Sequence, residues 1–438
     1  MIFNFGKLNV KDEFIAALTV FFASSYILFI NPQILAEAGM DFDGAFFATT
    51  LSAALGTLIL GLLANKPYLI APGMMLSIFF TSTMIKTFGI SWQISLAASF
   101  FVGVILLVLS LSKIRIWFAE AIPLSLRYGI LGGVGLLLIT VGFKNAGLII
   151  PTEFTEPVVG SIFGTGALLA IFGFFITSLF FIKKIKGAFL IGILFTTILA
   201  IIISVYGGHS PELVILGLPK NLDAVALKYD IPGLLNSNFI SIILALFMVT
   251  FFDTLGTSTA LLIRGKYINR KKGYVRDLDK VMLGDSIATI FGSVLGSSPQ
   301  IVYAESASAY EAGGKTGLTS VFICIFFILS LFFLPFIKIV PIEATASVII
   351  IVGLLMLEGM KKIDLRDYSE NIPAFFCLAA IPITFSISHG IGLAAILYVM
   401  LKIFSGRIDE IHLGMWITTA LFLLDFSGLL NMLILLIH

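Results

Sequence analysis

From Phe14 onward the chain is a succession of apolar runs, most of them near the ~20 residues that a helix needs to cross a bilayer. Backbone inside hydrocarbon has no water to bond, so such runs must close their hydrogen bonds as helices. They fall near 14–34, 44–64, 73–88, 91–112, 121–143, 160–182 and 187–206. After a polar connection at 207–236 come 237–262, 280–296, 303–312, 316–336, 342–360, 372–387 and 389–405. The pattern predicts an all-α polytopic membrane protein with fourteen spans. A last apolar stretch, 411–437, is left over and fits a span, a re-entrant segment or an interfacial helix equally well. Charged residues make up only 12% of the chain, against roughly 25% in soluble domains, so a soluble fold is excluded.

Orientation follows from the loops. The most basic one, "RGKYINRKKGYVRDLDK" (264–280), belongs in the cytoplasm by the positive-inside rule. Counting spans outward from it puts the N-terminus, with Lys7 and Lys11, on the cytoplasmic side. Lys113 and Arg115, the "KKIK" at 183–186, "KKIDLR" at 361–366, and Lys402 with Arg407 fall on that same side. Glu153, Glu156 and the 207–236 connection fall outside. No signal peptide is expected, because the first apolar run follows Lys7, Lys11, Asp12 and Glu13 without a small-residue cleavage site. A multi-pass protein of the cell membrane is the expected location.

Several function classes drop out. The net charge of +2 resides in short loops and points to no nucleic acid. Cys324 and Cys377 lie inside apolar runs and make no disulfide framework. His209, His389, His412 and His438 have no metal-ligand spacing. No glycine-rich phosphate loop ends in a lysine, which disfavours an ATP-driven pump. No cofactor is expected beyond a coupling ion, and a proton is favoured over sodium.

Fourteen spans divide into two sets of seven, and an odd repeat must be inverted in the membrane. A faint internal echo supports this: "LSAALGT" (51–57) and "IATIFGS" (287–293) share apolar spacing and a Gly-Thr or Gly-Ser ending. Each precedes a proline and a short interrupted span, "APGMMLSIFF" in one half and "SSPQIVYAESASAY" in the other. Paired interrupted segments at corresponding positions are the strongest sequence pointer to a transporter's binding site. Extended backbone at that depth is tolerated only against protein or a wet cavity, and half-helix N-termini add free N–H donors.

Acids stand in the same region. Asp253 lies in "FMVTFFDTLGTSTALL" and Glu305 in the second interrupted segment, neither within a helical turn of a Lys or Arg. A carboxylate at the bilayer centre costs roughly 3 kcal/mol or more, so a cavity, a proton or a ligand must compensate. Such a group suits proton carriage, and an ionised pair of acceptors matches a flat heterocycle rich in N–H donors. Asp285 divides evenly between a structural and a functional role. Ser77 is the polar group on the first half-helix able to reach the same cavity; Tyr26 and Phe79 are candidates to stack on a ring, although aromatics in spans are more often packing. Glu343 and Glu358, near span ends, read as interfacial. Two other classes were weighed. A small-anion carrier of related fold would want a basic residue in the broken segments, and Lys86 is too far along. A membrane aspartyl protease using Asp253 and Asp285 would want Tyr-Asp and Gly-x-Gly-Asp, whereas the chain reads Phe252-Asp253 and Met282-Leu283-Gly284-Asp285.

Together, "YILFINPQILAEAGMD" (26–41), "ANKPYLIAPGMMLSIFF" (64–80), "FFDTLGT" (251–257) and "YAESASAYEAGGKTGLT" (303–319) resemble the AzgA-like purine permeases. These are a branch of the nucleobase–cation symporters, related to the uracil and xanthine permeases. The likeness continues in order through "ATASVIIIVGLLM" (344–356) and "ISHGIGLAAILYVMLKIFSGR" (387–407). It implies a seven-plus-seven inverted repeat with two short strand-plus-half-helix segments. The core domain would comprise 1–112 and 237–336, and the gate domain 113–236 and 337–438. It further implies a purine nucleobase imported by cation symport with alternating access, a lipid bilayer as surroundings, and a homodimer through the gate domain as an allowed assembly. A uracil- or xanthine-type substrate is the alternative within the resemblance. Carried over residue by residue, Asp253 and Glu305 hydrogen-bond the base and one of them is linked to proton binding. The backbone N–H of Leu76 faces the ligand, with Ala304 its counterpart. Ser77 stands where these permeases usually have Asn, Met75 where they have Gly, and Thr250 where they have a further Asp, which leaves the identity of the base open.

Overall fold

The computed structural model describes residues 9–112, 122–150, 158–160, 162–206, 214, 216–217, 222–235, 239–269, 274–363 and 365–427. The expected loop positions of Lys7, Lys113, Arg115, Glu153, Glu156 and His209, and the end of the last apolar stretch with His438, lie outside the described residues. In the first half, α1 (Val10–Ser24) and α2 (Ile27–Glu37) run nearly end to end, followed by α3 (Phe42–Ala64). Strand β1 (Ile70–Pro72) then leads into α4 (Met74–Ile78), which continues as a π-helical stretch, Phe79–Thr87. Helices α5 (Trp92–Leu111), α6 (Leu124–Asn145), α7 (Thr165–Ile182) and α8 (Ala188–Tyr206) complete it. The second half has α9 (Phe239–Arg264), α10 (Leu278–Leu295), strand β2 (Gln300–Val302), the short α11 (Ala307–Glu311) and α12 (Gly317–Ser330). It ends with α13 (Ile342–Met356), α14 (Tyr368–Thr384), α15 (Ile387–Phe404) and α16 (Leu413–Phe426).

The protein is a mostly helical membrane protein. Among the described residues nine helices are long and apolar enough to cross a membrane, by length and composition. The other five of the fourteen expected runs are also helical but short or charged. Two are the half-helices, α12 and α14 have 14 and 17 residues, and α10 carries Asp279, Lys280 and Asp285.

The helices pack as two sets. In one, α3 lies against α2, α10 and α12, with α5 on α10 and α1 on α12; in the other, α6 lies against α13 and α14, with α7 and α8 paired beside α13 and α15 on α14. Helix α9 touches both sets, through α5 and α15. Small residues allow the close crossings. A Cβ on Gly317 would sit 2.0 Å from the Gly61 carbonyl oxygen, and one on Gly353 would sit 2.5 Å from that of Gly135.

The two interrupted segments meet. Strands β1 and β2 pair antiparallel, with Ile70 opposite Val302, Ala71 opposite Ile301 and Pro72 opposite Gln300. The ladder is extended by Tyr303 N–H to the Leu69 carbonyl (3.0 Å) and Gly73 N–H to the Pro299 carbonyl (3.0 Å). Each half also braces its strand from the preceding helix. Thr57 in α3 donates to the Ile70 carbonyl (2.9 Å), and Thr289 in α10 donates to that of Gln300 (3.2 Å). These bonds satisfy peptide groups that would otherwise be orphaned at mid-membrane depth. Both threonines fall in the two echoed stretches, so the echo has a structural purpose.

One buried acid went unread in the sequence. The Glu13 carboxylate accepts from the Lys315 N–H (3.1 Å) and the Thr316 hydroxyl (3.1 Å), and also from the Thr319 hydroxyl. The "GGKTG" turn is thereby tied to α1.

Candidate functional site

Asp253 sits in the middle of α9, at the level where β2 and the Ala304–Ser306 turn approach that helix. It is half-buried and faces a cavity of about 440 Å³ whose walls include Leu131, Phe252, Gly256, Thr257, Ala304 and Ala307. Thr257, one helical turn on, shares that face of α9 and lines the same cavity. A second lobe of about 550 Å³ shares Leu131 and Asp253 with the first and is bounded by Leu355, Met356, Glu358, Gly359 and Lys361. Arg264 lies at the far end of the first lobe and pairs with Glu311. The cavity therefore runs between the two helix sets: Leu131 belongs to α6, Asp253 to α9 and Ala304 to the second interrupted segment.

Glu305 is half-buried and sits between the lining residues Ala304 and Ala307. The Tyr26 phenol donates to its Oε1 at 2.9 Å. Asp253 thus lines the cavity from a continuous helix, while Glu305 adjoins its wall on the broken segment without lining either lobe itself. Tyr303, next to Ala304, is anchored by its phenol on the Pro72 carbonyl at 2.6 Å, so each broken segment fixes the other.

Other expected residues are placed differently. Ser77 is fully buried, at 0% exposure, and does not reach the cavity. Its hydroxyl meets Asn31 Oδ1, the Gly73 carbonyl (2.9 Å) and the Ser298 hydroxyl (2.7 Å). Asn31 in turn donates to Thr49 at 2.7 Å. The network ties α2, α3, α4 and the loop before β2 together, so Ser77 is a positioning residue rather than a ligand-facing one. The Leu76 and Phe79 side chains are likewise sealed in the core. Tyr26 is buried too; its ring packs edge-on against Phe189 (5.3 Å between centroids) and its phenol is engaged with Glu305. Ala304 is exposed to the cavity. Glu358, read from sequence as interfacial, lines the second lobe with Asp253. Asp285 is 2% exposed beside Thr254 and lines neither lobe, so Asp253 and Asp285 do not share water as a protease pair would require. Among the described residues no cluster of His, Cys, Asp and Glu suits a metal ion.

A prediction follows for Ser77→Ala. The substitution removes the hydroxyl from a buried network and leaves its partners unpaired, at a cost of about 1–3 kcal/mol for each group so stranded, read as a lower unfolding midpoint. Ligand affinity per folded molecule is expected to stay within about threefold of wild type. A selective loss of affinity without loss of stability would show that Ser77 faces the ligand after all.

A charged cluster gathers where α14 begins and α15 ends. Lys402 is fully buried among Glu410 (2.7 Å), Glu370 (3.5 Å) and Asp367 (3.9 Å). The Asp367 carboxyl is pushed down to about 2 by the Ser369 hydroxyl, with Arg407 and Lys402 adding to the effect. These ion pairs fasten α14 to α15.

Residues 11–395 match the Xan_ur_permease model, described as a permease family. Adenine permease AdeQ of Escherichia coli is 35% identical over 416 residues, covering 95% of this chain and 93% of its own length. Guanine/hypoxanthine permease PbuO of Bacillus subtilis is 33% identical, covering 92% and 94%. Among solved structures, the transmembrane domain of a cyanobacterium bicarbonate transporter, BicA, superposes with a TM-score of 0.65 over 90% of this chain and 98% of that one, at 14% identity. That last likeness concerns the fold.

Proposed function

The chain belongs to the permease family matched over residues 11–395, and on that premise we propose that it carries a nucleobase, a purine first of all, across the cell membrane in symport with a proton. Membership in a permease family makes it a transporter and not an enzyme. The observation that supports the substrate reading is that Asp253 lines one cavity whose wall includes Ala304 and Ala307, the residues on either side of Glu305. Carboxylates accept hydrogen bonds and repel anions, which argues against a small-anion carrier despite the fold shared with BicA. In this reading Asp253 and Glu305 take N–H groups on the edge of the base, and the peptide groups of Leu76 and Ala304 border its far side.

The mechanism is alternating access over fourteen spans with a cytoplasmic N-terminus. The helix set of α1–α5 with α9–α12 moves as the core, carrying both acids. The set of α6–α8 with α13–α16 stands as the gate and contributes Leu131 and Glu358. Arg264, at the end of α9, and Lys361 border the cavity, and with both on the cytoplasmic side this supports an inward-facing conformation. A dimer of two such chains through the gate belongs to the same proposal. Energy enters through protonation of one carboxyl, which removes one of the two negative charges the site would otherwise carry across the membrane and so lowers the cost of the crossing.

Uptake tests this directly. In cells lacking their own base carriers, the chain should concentrate radiolabelled adenine, guanine or hypoxanthine. A protonophore should abolish accumulation while leaving exchange of labelled for unlabelled base intact. Accumulation that ignores the protonophore and follows a sodium gradient would overturn the proton assignment. Transport of none of these bases would overturn the substrate.

A further inference from the structure

Gly256 lines the cavity from α9, and no close helix crossing explains its missing side chain. Other described glycines inside helices, among them Gly61, Gly103 and Gly284, sit where a neighbour crosses closely. A Cβ on Gly61 would lie 2.6 Å from Ser320 Cβ, one on Gly103 would lie 2.8 Å from Ile290, and one on Gly284 would lie 2.7 Å from Leu60. At Gly256 a Cβ would meet nothing within 4 Å. Gly39, Gly89, Gly147 and Gly406 have equally open surroundings, but their φ angles of +68° to +85° explain the residue through backbone conformation. Gly256 has ordinary helical backbone, where glycine is less favourable than alanine. No close crossing offsets that penalty in this conformation.

The open space beside Gly256 is the cavity itself. Gly256 lies three residues after Asp253 and next to Thr257, on the helical face that lines the first lobe, and Leu131, Ala304 and Ala307 form other parts of its wall. We propose that Gly256 sets the ring size the carrier accepts: its missing side chain is the room for the second ring of a bicyclic base held at one edge by Asp253. This rests on the nucleobase reading of the cavity and narrows it from bases in general to fused-ring ones. A methyl group at this position would occupy space one turn from the carboxylate, where a purine extends and a single-ring base does not.

The test is equilibrium binding to purified Gly256→Ala and Gly256→Val, with radiolabelled adenine or hypoxanthine as the bicyclic probe and uracil as the single-ring competitor. One added methyl in a fitted pocket shifts affinity by about tenfold or more, so purine binding should weaken by that factor in Gly256→Ala and further in Gly256→Val. Uracil affinity should change by less than about threefold, so that preference shifts toward the smaller ring. The ligand-free unfolding midpoint should stay level or rise, since both substitutions remove a helical glycine. Purine binding that survives Gly256→Val unchanged would overturn the proposal. So would purine and uracil affinities falling by the same factor, the pattern of a glycine needed for passage of the gate across α9. Failure of wild type to bind any base would instead sink the nucleobase reading, and the two failures are told apart in one experiment.

Discussion

Glu305→Gln should abolish concentrative uptake of a purine while leaving a folded protein in the membrane. The amide is nearly the same size as the carboxyl and its oxygen can still accept from Tyr26, which donates to Glu305 at 2.9 Å, so the interrupted segment keeps its anchor. What disappears is the charge, the capacity to bind and release a proton, and one acceptor facing the base. A hydrogen bond to a charged group contributes about 1.5–3 kcal/mol, so binding alone should weaken roughly tenfold to a hundredfold. With Glu305 as the carboxyl that takes the coupling proton, coupling should fail completely, since an amide does not titrate. Glu305→Asp retains the charge but draws it back by one methylene from both Tyr26 and the cavity, and a small residual uptake is expected. Uptake of radiolabelled base, normalised to the amount of protein in the membrane, is the readout. Undiminished concentrative transport by Glu305→Gln would remove Glu305 from the mechanism.

The second large effect is expected at Asp253. Asparagine there keeps the volume but replaces one acceptor oxygen by a donor amide facing an N–H edge, so the loss comes from a mismatch as well as a missing bond. Binding should fall by about a hundredfold. Thr257→Val should cost less, because the hydroxyl stands one helical turn from Asp253 on the same cavity wall and can steady its carboxylate without carrying charge itself. The double variant discriminates between a shared and a separate role. If both residues act on the base through one carboxylate, adding Thr257→Val to Asp253→Asn should change binding little, far less than the sum of the single effects. Additive losses, measured as dissociation constants on purified protein, would mean that Thr257 contacts the ligand on its own account.

How much of this was readable beforehand depends on whether the physics was local. The long spans were legible because bilayer thickness imposes a length on every apolar run. The interrupted segments were legible because Pro72 and Pro299 stand beside apolar stretches too short for a full span, where the missing N–H and fixed φ of proline disfavour a continuous helix. Asp253 and Glu305 were legible as acids with no nearby base in greasy surroundings. Where a residue's role lies in distant partners, the sequence carried no sign of it. The sequence alone points Ser77 at the cavity, whereas its bonds to Asn31 and Ser298 span 46 and 221 positions. The role of Glu13 has no local sign, since its partner Thr319 is 306 positions away. Tyr26 reads as an aromatic for stacking, whereas its phenol is what meets Glu305. Thr257 could have been found: a hydroxyl four residues after an acid on a helix shares its face, and "DTLGT" contains that spacing. Glu358 could not, since its approach to Asp253 depends on how the two helix sets face one another.

The heart of the matter is whether a flat base docks against two carboxyl groups in one cavity, and calorimetric titration of the purified chain addresses that without relying on transport. Adenine, guanine, hypoxanthine, uracil, bicarbonate and sulfate would each be titrated into wild type and into the Asp253→Asn, Glu305→Gln double variant. Saturable binding of a purine to wild type, its loss in the double variant and no heat from the anions is the expected result. Purine binding that persists in the double variant, or binding of bicarbonate or sulfate in place of every base, would contradict it.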